Sequence, residues 1–215
     1  MPVLASLNDA RDYFEQLPAQ LEVYFDEAYQ RAFDRLISAF EQFFDIAETV
    51  NQQADDDHVI STTEATQIGE HGFTLILQMI DLMEKLDLPH KRREIEQISL
   101  IFARWVIKFQ GQLNHIEPLV NAFAHSANNM QEKNSLRALV DLMGMVVDAC
   151  SDEIKHDLQS TYLFRPWRLL LINRCIVATR THDIELMKKV FDDFIFFLPQ
   201  DAQAFFNDGL EETDA

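Results

Sequence analysis

Seven histidines and two cysteines are the side chains of this sequence best suited to metal or nucleophilic chemistry. Glu153-Ile154-Lys155-His156 has the Glu-x-x-His step of carboxylate-bridged di-metal helix bundles, which use the motif twice together with further inward glutamates. This chain holds one copy, so a helix-bundle enzyme or metal-binding protein with Glu153 and His156 as ligands is the second reading, and no metal or other cofactor is expected. Asp55-Asp56-Asp57-His58 is rich in ligand types but lacks the glycine and spaced oxygens of a calcium loop. It reads as a solvated acidic linker. Cys150 and Cys175 stand alone in apolar surroundings, giving neither a disulfide framework nor a zinc spacing. His-Glu-x-x-His, Gly-x-Ser-x-Gly, Cys-x-x-Cys and phosphate-loop patterns are missing. A spatially assembled acid–base site remains compatible with that, but the balance falls toward a protein that is not an enzyme.

A different chemistry is offered by arginines beside aromatics. Tyr162-Leu163-Phe164-Arg165-Pro166-Trp167-Arg168 is the most unusual segment, and Arg104-Trp105 and Arg174 repeat its theme. Trp and Arg are the residues that dominate binding hot spots. Arg104, Trp105, Arg165, Trp167, Arg168 and Arg174 are therefore the candidate partner-binding residues, with no catalytic residue assigned. The competing reading has Trp167 filling core at the start of a helix, with the arginines paired to nearby carboxylates.

Composition narrows the partner. The chain of 215 residues carries 18 basic and 36 acidic side chains, a net charge of −18 at pH 7. That excess excludes a general nucleic-acid binder, which needs clustered Lys and Arg. The acid is concentrated at the ends: residues 1–57 hold 13 acidic and 3 basic side chains, and residues 183–215 hold 9 and 2. An acidic regulator that sequesters a basic partner is a further alternative. The longest apolar runs fall well short of the ~20 residues of a membrane span, and no basic, apolar leader opens the chain. No membrane association and a cytoplasmic location are expected.

The elements that must position these side chains read as helices throughout. Ala10, Tyr13, Phe14 and Leu17 share a face over 8–17, with Asn8 or Asp9 as cap and Pro18 opening the next helix. Leu21, Phe25, Ala28, Ala32, Leu36, Phe40, Phe43, Ala47 and Val50 then recur every three or four residues. Residues 51–60 break that period and read as a loop. Ser61-Thr62-Thr63-Glu64 has capping-box form, and Leu88-Pro89 ends the helix that it starts. Further helices are expected over about 90–110, 116–128, 132–150, 165–181, 183–198 and 200–211, with one short turn in 151–163. Gly69 and Gly72 lie inside a helical pattern, where they permit close approach. Nothing alternates with period two long enough to be a strand.

Ile116-Glu117-Pro118-Leu119 through Ala122-Phe123 parallels Ile184-Glu185-Leu186-Met187 through Val190-Phe191 at an offset of 68 residues. The tail runs on from Ile176-Val177-Ala178 through Thr181-His182-Asp183 to Leu198-Pro199. This pattern resembles a degenerate tetratricopeptide repeat, whose period is about 34 residues. The resemblance covers the last half of the chain, with Thr-His-Asp standing where the family has a glycine-containing turn. It implies stacked antiparallel hairpins in a superhelix with a concave protein-binding surface.

The expected architecture is all-α: an aromatic-rich helical hairpin over 1–57, packing on the rest or forming a homodimer interface, and a helical-repeat-like domain over 58–215 with a C-terminal capping helix. The expected function is a non-enzymatic scaffold or adaptor that captures a peptide or helix in a groove.

Overall fold

Ser6 opens the first helix. Its hydroxyl accepts the Asp9 N–H while the Asp9 carboxylate accepts the Ser6 N–H at 2.9 Å, so Asp9 is the third residue of a capping box and not the cap itself. Ser61 and Glu64 repeat the device as expected. The computed structural model describes residues 6–55, 60–156 and 165–213, among which there is no strand. The helices are α1 (Leu7–Leu21), α2 (Glu27–Asp55), α3 (Thr62–Lys85), α4 (Pro89–Lys108), α5 (Glu117–Asn129), α6 (Lys133–Ala149), α7 (Asp152–His156), α8 (Pro166–Thr181), α9 (Ile184–Phe197) and α10 (Pro199–Thr213), with a 3-10 turn over Glu22–Tyr24.

Pro18 does not open a helix; it lies in the last turn of α1. The hydrogen bond it cannot donate is outweighed by burial of Leu17 and Leu21, both wholly enclosed. The loop expected from residue 51 begins later, because α2 runs on through the polar residues to Asp55. Lys108 Nζ donates to Asn51 Oδ1 at 2.9 Å and holds that extra turn. Asp56, Asp57 and His58 lie outside the described residues, as do Tyr162, Leu163 and Phe164. The stops after α3 and α4 use left-handed non-glycine residues, Asp87 at φ 54° and Gln110 at φ 57°. In each, the following N–H reaches back to close a Schellman turn, Leu88 to Met83 and Gly111 to Val106, both at 2.9 Å.

The chain divides into two compact units, 1–122 and 123–215, with the division inside α5. Helices α1 and α2 therefore share a unit with α3 and α4, where much of their aromatic stripe is covered. Phe14 stacks on Phe40 at 3.8 Å, and Phe43 on Phe102 of α4 at 4.5 Å. Phe44 and Phe73 meet Phe102 edge-on at 5.9 and 6.5 Å. The stripe follows its expected line at Phe40, Phe43, Ala47 and Val50 but shifts near its start, where Phe33 is fully buried while Ala32 is exposed. Gly72 exists for this cluster, since a Cβ there would lie 2.6 Å from Phe43 Cε2 and 2.9 Å from Phe102 Cδ2.

In the second unit α8 packs against α6 and α9, and α9 against α10. Burial on more than one side explains why α8 is apolar around most of its circumference. Arg174 on α8 passes over Gly144 of α6, where a Cβ would come within 2.8 Å of Nη2. The turn from α8 to α9 needs no glycine: His182 adopts φ 54°, and the Asp183 carboxylate caps α9 by accepting the Leu186 N–H at 3.2 Å.

Candidate functional site

Four of the six candidate binding residues are brought together on one element. Arg165, Trp167, Arg168 and Arg174 belong to α8 and its N-cap, whereas Arg104 and Trp105 lie on α4 in the first unit. Only Arg104 is exposed. Trp105 is buried with its ring 5.0 Å from that of Phe109. Trp167 is 2% exposed and sits edge-on to Phe197 at 5.4 Å. Arg165 is buried as the N-cap of α8. Arg168 pairs with Asp201 at 3.1 Å, and Arg174 donates from Nη1 to Asp193 Oδ2 at 2.8 Å. Apart from Arg104, the expected binding side chains are thus turned inward or tied to neighbouring carboxylates.

Several large apolar side chains also stand outward in this unit. Phe196 is 79% exposed, Ile184 77%, Ile176 47% and Ile195 45%. Phe197 packs edge-on against Phe196 at 5.1 Å and against the buried Trp167 at 5.4 Å, so the exposed ring rests on an aromatic side chain that is itself packed. The sequence signal for this was Phe194-Ile195-Phe196-Phe197-Leu198, five apolar residues in a row. A helix buries only one stripe, so such a run must leave some of its members in solvent.

An open cleft of about 480 Å³ is lined by Gln131, Leu136, Thr179, Arg180 and His182. Arg180 there donates from Nη1 to the Ala127 carbonyl at 2.8 Å and from Nη2 to the Met130 carbonyl at 2.6 Å, closing the end of α5. The end of α8 is closed by the backbone N–H of His182, which reaches Thr179, and not by its ring.

Glu153 and His156 both lie on α7 and are exposed, with His156 Nδ1 2.8 Å from the Asp152 carbonyl oxygen. Among the described residues no three His, Cys, Asp or Glu side chains are grouped to hold a metal ion. Burial pushes both thiols, Cys150 and Cys175, up to about 12. Thiols protonated at neutral pH are poor nucleophiles. The native protein is therefore expected to leave Ellman's reagent unreacted and to release two thiols per chain in guanidinium; colour formation before unfolding would contradict this.

In the first unit the polar centre is Glu94. It accepts from Tyr13 Oη at 2.8 Å and from Lys91 Nζ at 2.7 Å, and His90 Nε2 lies 2.9 Å away. Burial opposes its charge, but the Lys91 and Tyr13 hydrogen bonds and the Lys91 and His90 charges together bring its carboxyl below the ordinary value of 4.5. A carboxylate depressed in the folded state stabilises above its unfolded pKa, and that contribution is lost as pH falls through the folded value. Urea unfolding of Glu94→Gln is expected to show a shallower loss of stability than wild type below pH 4.5; parallel curves would remove Glu94 from the acid response.

No family model, curated protein or solved structure matches the chain. No described helix is long and apolar enough to cross a membrane.

Proposed function

We propose that this chain is a protein-interaction module with no catalytic role, in which hairpins stacked in the manner of tetratricopeptide repeats display apolar side chains from residues 123–215 to a protein or peptide partner. The observation that supports this most directly is Phe196, a large ring 79% exposed yet packed on Phe197, which itself packs on the buried Trp167. Pre-positioned aromatic anchors supply affinity with little ordering cost on binding. The surrounding acidic chain would select among partners and set the rate of encounter. The four arginine and tryptophan positions of α8 and its N-cap then act mainly by holding the display in place.

Affinity capture with wild type and Phe196→Ser tests the reading. The variant is expected to keep its helicity and melting temperature while losing most of the captured partner. Capture that survives the substitution, or a variant that unfolds like a core mutant, counts against it.

A further inference from the structure

The outward face of α9 is the least typical surface of this acidic chain. Ile184, Lys188, Lys189, Asp192, Ile195 and Phe196 are all exposed, and at about 100° per residue they fall within one arc of about 140°. Val190 and Phe194 on the other side are buried. Asp193 is tied to Arg174 of α8, and Phe191 meets Phe205 and Phe206 of α10 at 6.5 and 5.2 Å. Neighbouring helices thus account for the remainder of the helix and leave this face uncovered.

Its charge sets it apart. Residues 183–215 hold 2 basic side chains against 9 acidic ones, and both bases, Lys188 and Lys189, stand on this face. Together with Glu185 and Asp192 they make it locally neutral in a chain of net charge −18. Among the described residues, Lys188, Lys189 and Asp192 form no ion pair. Lys188 precedes Asp192 by four residues, the weaker order for pairing within one helix.

Read outward from Val190, the face is self-complementary. An apolar residue, Ile184, lies six positions before it and another, Phe196, six after; Lys188 lies two before and Asp192 two after. We infer that α9 is a dimerisation helix, packing antiparallel on α9 of a second copy about a two-fold axis near Val190. Each Lys188 then meets the other chain's Asp192 beside the axis, and each Ile184 lies level with the other chain's Phe196 at the flanks of the contact, the reciprocity an isologous interface requires. This rests on the interaction-module reading and names a second copy as one occupant of that surface. A single pair of helices of 14 residues each spans roughly 21 Å. It buries less than the ~1,600 Å² of a standard interface, so micromolar dissociation is expected.

Sedimentation equilibrium of the full chain from about 1 to 200 µM tests it. Wild type is expected to move from one chain toward twice the 25.0 kDa mass. Phe196→Ser and Lys188→Asp are each expected to weaken association at least tenfold with circular dichroism unchanged. Lys188→Asp combined with Asp192→Lys restores opposite charges across the axis and is expected to recover most of it. A wild-type mass of one chain across the range overturns the dimer, as does a dimer indifferent to these substitutions or a double variant no better than either single one. Should the dimer fail while wild type still captures a different protein through Phe196, the proposed function stands without it. If capture fails as well, both fall.

Discussion

Trp167→Ala is expected to lower the unfolding free energy of the second unit by about 3–5 kcal/mol, the usual cost of deleting a buried aromatic ring. The residue is 2% exposed and lies against Phe197, so its removal leaves a cavity beneath the last residue of α9. Trp167→Phe is expected to cost much less. The indole Nε1 is buried with no hydrogen-bond partner among the described residues, and an unsatisfied buried donor carries a penalty of roughly 1–3 kcal/mol that phenylalanine removes. Phe196→Ala, at the last residue but one of α9 and mostly in solvent, is expected to change stability by no more than about 0.5 kcal/mol. Urea titrations followed by circular dichroism give the ranking directly. If Trp167→Ala melts like wild type and loses a partner instead, Trp167 is the anchor and the assignment to Phe196 is wrong.

That contrast marks how far the sequence could be read. Ser61 and Glu64 are legible because a capping box involves only residues three apart, and Pro89, Pro166 and Pro199 mark helix starts for the same local reason. Helix period is likewise local, which is why the all-α class emerges from spacing alone. Which side of a helix is covered depends on other elements. Ala32 and Phe33 are neighbours on the same apolar pattern, and only the packing of α2 decides that Phe33 is enclosed. The arginines show the same limit. Arg174 finds Asp193 nineteen residues away, and Arg180 finds carbonyls about fifty residues away. No spacing rule connects those partners, so an arginine beside a tryptophan reads equally as anchor or as brace. Pro18 fails for a third reason. It takes a place inside a helix that its residue type disfavours, because burial of Leu17 and Leu21 outweighs local preference.

Asp193→Ala is expected to cost about 2–3 kcal/mol, and Arg174→Met less than about 1 kcal/mol, although both remove the same ion pair. Arg174 is 5% exposed, so taking away its carboxylate leaves a guanidinium enclosed without its counter-charge, which for a fully buried pair costs roughly 3–5 kcal/mol. The Asp193 side chain is 36% exposed, and water partly screens the pair, which places the loss below that range. Methionine keeps the aliphatic stem of Arg174 in place and leaves behind an aspartate that water reaches. Gly144 supplies the control. Alanine there would set a Cβ 2.8 Å from Arg174 Nη2, and forcing the guanidinium aside is expected to cost about 1–3 kcal/mol. In the Arg174→Met background the side chain no longer carries Nη2 over α6, so Gly144→Ala should cost close to nothing. A double-mutant cycle in urea therefore gives a coupling of more than about 1 kcal/mol between positions 144 and 174. Strictly additive effects would mean that the small residue at 144 serves the helix contact itself and not the passage of the arginine.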